Sequence, residues 1–170
     1  MPTAGKLCEF VQAAFQKRFI YGEYLQIVEL NAADAPESAD PVLRKTYQWG
    51  PLEPVATRIL AMSVFDETGI YVEDLYYTHD ALKNTTALFG IKAGRRALYE
   101  YGPYGNVLKM EGNAGGLNPF RFSSEYADDE LGLVYYNYRY YNPQDGRWIS
   151  RDPADEQSGW NLYIFVKNNT

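Results

Sequence analysis

Chemistry in this chain would have to come from its acids, because few other reactive groups are present. Asp152, in Arg151-Asp152-Pro153, reads as a turn residue bonding local amides ahead of Pro153. His79-Asp80 joins an imidazole to a carboxylate that could orient it. Adjacent strand residues point to opposite faces, however, and no serine or cysteine nucleophile is tied to the pair. Asp128-Asp129-Glu130 lacks the alternating ligands and the glycine of an EF-hand loop, so it reads as a solvated acidic turn. With one histidine and one cysteine, no dedicated zinc site is expected, and Cys8 reads as a small semi-buried apolar residue. No metal or organic cofactor is indicated.

The other residues able to act are aromatic. Tyr135, Tyr136, Tyr138, Tyr140, Tyr141 and Trp148 lie in Leu133-Val134-Tyr135-Tyr136-Asn137-Tyr138-Arg139-Tyr140-Tyr141-Asn142-Pro143 and the following Asp145-Gly146-Arg147-Trp148. Such a stripe either packs one sheet on another or stays exposed and stacks on sugars or a protein partner. Arg139 and Arg147 sit among these rings, where stacking or pairing with Glu125 or Asp129 is expected.

These residues need β-strands to hold them. The chain has 170 residues with 16 tyrosines, 14 glycines and 9 prolines, which favours short strands and frequent turns. Its formal charge of −6 and the absence of any dense basic run argue against nucleic-acid binding. No stretch approaches the roughly 20 apolar residues of a membrane span, and Met1 to Phe10 has no apolar core of signal-peptide length.

Along the chain, Leu7, Val11, Ala14 and Phe15 share one side of a helix, which predicts a short amphipathic helix or tail over 1–16. From Lys17 the period becomes two. Arg18 to Tyr21 and Tyr24 to Leu30 read as a hairpin about Gly22-Glu23, and Leu43 to Trp49 as a strand. Val55 to Phe65 and Gly69 to Tyr77 read as a second hairpin about Asp66-Glu67-Thr68-Gly69. Thr86 to Phe89 and Arg96 to Tyr101 flank a turn at Lys92-Ala93-Gly94, and Asp145-Gly146 reads as a turn. Phe19-Ile20-Tyr21-Gly22, Tyr47-Gln48-Trp49-Gly50 and Tyr99-Glu100-Tyr101-Gly102 share an aromatic-x-aromatic-Gly unit. Their spacing of roughly 30 to 50 residues is irregular, so they form a degenerate array whose members need neighbours to cover their faces.

The tyrosine block, the preceding Asn118-Pro119-Phe120-Arg121-Phe122-Ser123-Ser124-Glu125-Tyr126 and the later Asn161-Leu162-Tyr163 resemble the repeat-associated core of rearrangement-hotspot (Rhs), or YD-repeat, proteins. Tyr76-Tyr77-Thr78-His79-Asp80-Ala81-Leu82 with Thr85-Thr86-Ala87-Leu88 is similar to the segment before that core, and Tyr99-Glu100-Tyr101-Gly102-Pro103-Tyr104-Gly105-Asn106 to the Y-x-Y-D-P-F-G-R element. In the latter, Gly102 replaces the aspartate. The resemblance covers about residues 17 to 170. It implies degenerate YD-repeat-like hairpins over 17–112 and a core-like segment over 113–170, all in one structural domain. The fold class expected is mainly β, an antiparallel hairpin array forming a twisted ribbon.

In full-length relatives, the resemblance implies, such a ribbon winds into a hollow shell around a variable C-terminal segment, often a toxin. The core plugs one end, and in part of the family an aspartate-dependent self-cleavage frees the cargo. Asp152 matches the first conserved aspartate position, but the second aspartate that follows in the family is missing before Thr170. The cleavage that the resemblance implies needs two carboxyl groups with separated pKa values, and Asp155 is only the nearest candidate for the second. No self-cleavage by this chain is therefore expected. The leading expectation is a non-enzymatic end-capping module that encloses or packs against a partner polypeptide: cargo, shell repeats or another copy. The alternatives are a surface recognition module for carbohydrate or protein, and a vestigial self-cleaving aspartate protease. Relatives are often secreted or surface-associated; the chain itself carries no address.

Overall fold

The computed structural model describes residues 8–10, 16–32, 40–51, 58–151, 163 and 165. They fall into two compact units. The first comprises Met1–Tyr77 with Phe89–Gly94, the second Thr78–Leu88 with Arg95–Thr170.

The first unit is an antiparallel ladder of consecutive strands: β1 (Cys8–Phe10), β2 (Gln16–Gly22), β3 (Leu25–Ala32), β4 (Val42–Trp49), β5 (Ile59–Phe65) and β6 (Tyr71–His79), the last running on past Tyr77. Gly22 pairs with Leu25, so the first turn lies at Glu23-Tyr24, with Glu23 left-handed at φ 59°. Ile59, Met62 and Leu75 are wholly buried, Met62 and Leu75 as cross-strand partners. Glu29 is buried as well, beside Lys45 on the facing strand. Lys45 Nζ lies 3.2 Å from the Glu29 carboxylate, the Tyr47 hydroxyl donates to it at 3.0 Å, and Lys17 stands 4.0 Å away. Desolvation lowers the Lys45 pKa, and the Glu29 charge opposes that shift.

The expected N-terminal helix does not form where the structure describes it. Cys8–Phe10 is a strand, paired in register with Phe19, Arg18 and Lys17. An isolated helix of this length gains little in water, whereas the outer edge of β2 offers unpaired backbone groups to a strand. Residues 4–7 and 11–15 lie outside the described residues.

Each aromatic-x-aromatic-Gly unit closes a strand, and each carries a register shift just before its second aromatic: between Ile20 and Tyr21, Gln48 and Trp49, and Glu100 and Tyr101. A bulge there turns the strand and increases its twist. The leading rings, Phe19, Tyr47 and Tyr99, are all buried.

The second unit holds β7 (Thr85–Gly90, whose last two residues count with the first unit), β8 (Gly94–Tyr101) and β9 (Val107–Glu111), with β8 antiparallel to β9. Short 3-10 turns at Gly115–Leu117 and Phe122–Ser124 lead into a meander of β10 (Tyr126–Asp128), β11 (Leu133–Tyr136), β12 (Arg139–Asn142) and β13 (Arg147–Trp148).

One five-residue loop recurs in both units, at 66–70, 80–84 and 102–106. In each, the first amide donates to the fifth carbonyl (2.8–3.1 Å) and the fourth amide to the first carbonyl (2.9–3.2 Å). The fourth residue is left-handed every time: Gly69 φ 82°, Lys83 φ 68°, Gly105 φ 84°. Asp66 and Asp80 reinforce their loops, each taking two backbone amides on Oδ1 at 2.8–3.0 Å. The third loop has Gly102 in that place, and the Asn106 side-chain amide fills the volume a Cβ would occupy.

Candidate functional site

The most specific arrangement in the second unit starts from Asn118. Its Oδ1 accepts the Phe120 amide at 2.9 Å and its Nδ2 donates to the Phe120 carbonyl at 2.8 Å, which folds Asn118-Pro119-Phe120 tightly. The next residues leave the extended region: Ser123 and Ser124 are left-handed at φ 54° and 58°. Two adjacent left-handed serines are costly unless other bonds hold them. Those bonds come from Lys83, Asn84 and Thr85.

The Thr85 amide donates to the Arg121 carbonyl at 2.9 Å and its hydroxyl to the Phe120 carbonyl at 2.8 Å. Asn84 Oδ1 accepts the Ser123 amide and the Lys83 carbonyl accepts the Ser124 hydroxyl, both at 2.8 Å. The Tyr101 hydroxyl donates to the Thr85 carbonyl at 2.7 Å. Thr85 and Asn118 are fully buried. The result is a polar latch, and Asp80, which bonds Asn84 through both carboxylate oxygens, orients it. His79-Asp80 is thereby given a structural neighbourhood for its carboxylate rather than a nucleophile.

The latch carries Phe122 into an aromatic cluster with Tyr136, Tyr141, Trp148 and Phe165. Phe122 stacks on Tyr141 at 6.1 Å between centroids, and Phe165 lies 4.2 Å from Tyr141. Tyr141 is wholly buried, its hydroxyl donating to the Tyr104 carbonyl at 2.8 Å. The Gly102–Asn106 loop packs so closely that a Cβ on Gly105 would overlap the Phe122 ring. Burial raises the phenol pKa of Tyr101, Tyr136 and Tyr141, the last to about 12.

Strand alternation divides the six singled-out aromatics. Tyr136 (opposite Arg139), Tyr141 and Trp148 (opposite each other) face the cluster, with the Arg139 guanidinium 4.0 Å above the Trp148 ring. Tyr135 and Tyr140 pair on the opposite face at 5.1 Å, beside Tyr126. Tyr138 occupies the β11–β12 turn and is 90% exposed. Asp129 pairs with Arg121 rather than with Arg139 or Arg147. Asp152 and Asp155 lie outside the described residues.

Glu125 follows the left-handed serines; the sequence offered it only as an ion partner for Arg139 or Arg147. Burial alone raises its pKa to about 7. No spacing rule marks it; its acidity follows from what folds over it. No three His, Cys, Asp or Glu side chains converge to hold a metal among the described residues. No helix there is long and apolar enough to cross a membrane.

No family model matches the chain. It is 33% identical over 119 residues to toxin subunit YenC2 of Yersinia entomophaga, a match covering 66% of this chain and 12% of the relative. It is 45% identical over 53 residues to toxin protein Tse5 of Pseudomonas aeruginosa, covering 31% of this chain and 4% of Tse5. Among solved structures, 98% of the chain superposes on 8% of a chain in the TcdB2-TccC3-Cdc42 crystal structure, with TM-score 0.71 and 25% identity. The similarity is thus to Rhs-type toxin proteins. The chain spans 12% or less of the length of each of these three.

Proposed function

We propose that the chain is a non-enzymatic Rhs core module, resembling the end-capping part of a toxin-encapsulating β-shell, which acts by packing against a partner polypeptide. The observation that carries this reading is the superposition of 98% of the chain on one part of a much longer protein in a Tc toxin complex. Residues 17–112 act as degenerate YD-repeat-like hairpins and 113–170 as the core-like segment. The latch and aromatic cluster hold the second unit in shape, and the half-buried Tyr135 and Tyr140 with the exposed Tyr138 are the side chains that contact enclosed or neighbouring chain. Binding costs less when the surface is preformed, which is what the latch provides.

The test begins with the encoding DNA on either side of this reading frame. In-frame strand-rich repeats before it and an unrelated segment after it are expected. Co-expression of the chain with those segments should protect the downstream one from added protease. Flanking DNA without such segments, or a downstream segment cut equally fast with and without the module, would refute the reading.

Tyr138, almost wholly exposed at its turn, favours a second reading, surface recognition of carbohydrate or protein. Glycan-array binding that Tyr138→Ser abolishes would select it over the first.

A further inference from the structure

Strand β9 differs from every other strand whose burial is described: all five of its residues are exposed. It ends its sheet, hydrogen-bonded to β8 on one side, and among the described residues nothing pairs with its outer edge. It is not a polar edge, with Leu108 66% and Met110 48% exposed. An open edge carrying apolar side chains is a template for another strand.

The residues of β9 say which strand. Met110 lies opposite Tyr99, while Lys109 and Glu111 share the other face, opposite Glu100 and Leu98. Lys109 Nζ sits 2.9 Å from Glu111 and 3.6 Å from Glu100, so the face carries alternating charge. Two copies meeting antiparallel along this edge are related by a two-fold axis perpendicular to the sheet, which passes beside one residue and keeps each face on its own side. With the axis at Lys109, lysine faces lysine. With the axis at Leu108, Lys109 faces Val107. With the axis at Met110, each Lys109 faces Glu111 of the other copy and the two methionines meet. The rows across four strands then read Glu100-Lys109-Glu111-Leu98 on one face and Tyr99-Met110-Met110-Tyr99 on the other. Lysine on an edge strand ordinarily blocks pairing, because its charge would lie against backbone or another lysine. In this register it meets a carboxylate instead.

We propose that β9 is a self-association edge, through which two copies of the chain join their sheets antiparallel with Met110 on the two-fold axis. So short an edge buries little surface, and the association is weak and concentration-dependent, with Kd on the order of 100 µM.

The whole chain is followed by sedimentation equilibrium from about 10 µM to about 1 mM, spanning that range. Wild type is expected to pass from monomer to dimer. K109E and E111K place like charges opposite one another in the homodimer, and each should weaken association at least tenfold. In an equimolar mixture, the acidic edge of the first variant meets the basic edge of the second, with opposite charges facing at both contacts. The dimer should then return as a heterodimer. That regain, with unchanged far-ultraviolet circular dichroism, separates a broken register from a broken fold. The proposal is overturned if wild type stays monomeric throughout, if K109E dimerises as wild type does, or if folded K109E and E111K fail to associate when mixed.

Discussion

In the first unit the fixed polar contacts join neighbouring strands, as Glu29 and Lys45 do across β3 and β4 or Ser63 and Asp74 across β5 and β6. In the second unit they join segments far apart in the chain: Thr85 to Phe120, Ser124 to Lys83, Tyr141 to Tyr104. The first is an extendable ladder, each strand needing its neighbours. The second is closed on itself by a latch and an aromatic cluster. A repeat array can grow by adding ladder rungs, but its end must satisfy its own polar groups and rings. That contrast is what the proposed end-module reading expects.

The largest effect that would break the comparison is Phe122→Ala. Removing the ring that the latch delivers should cost about 4 kcal/mol. Near-ultraviolet dichroism from the second unit should collapse in urea well before amide protection in β3 and β4 is lost. Simultaneous loss of both would show one cooperative body instead of two.

Lys45→Met is the counterpart in the first unit. Among the described residues it leaves Glu29, nearly inaccessible to solvent, with Lys17 at 4.0 Å and the Tyr47 hydroxyl. A cost of about 3 kcal/mol is expected, because a buried charge loses its partner. Hydrogen exchange should quicken in β3 and β4 and stay unchanged at Thr85.

Glu125 sharpens the comparison through pH. Its pKa in the fold, about 7, lies above the unfolded value of 4.5, so the folded state holds the proton more tightly. Stability of the second unit should be full below about pH 4.5 and fall as pH rises through 7, by about 3 kcal/mol in all. Glu125→Gln should remove that slope, and it is read from urea midpoints at pH 5 and pH 8. The smallest effect is Thr85→Val. It deletes one hydroxyl bond while Asn118 still donates to the Phe120 carbonyl, for about 1 kcal/mol.

The hairpins were legible in the sequence because turn chemistry is local: Asp66 to Gly69 and Asp145-Gly146 carry their own signals. The sequence reading took the tyrosines as one stripe, whereas the ladder register divides them, Tyr136 and Tyr141 against Tyr135 and Tyr140. Which face is covered depends on Phe122 and Phe165, which no local pattern brings there. The latch was invisible for the same reason, since Asn84 and Thr85 meet residues 35 to 39 positions later. Cys8–Phe10 was misread because helical spacing carries no information about the strand edge waiting beside it.

The central claim is that the second unit is preformed, closed by its latch before any partner arrives. Native-state hydrogen exchange on the isolated chain tests it most directly. The account predicts that the amides of Thr85 and Ser123, bonded to Arg121 and Asn84, exchange orders of magnitude more slowly than those on the open edge of β9. Exchange at Thr85 and Ser123 as fast as on that edge would contradict it.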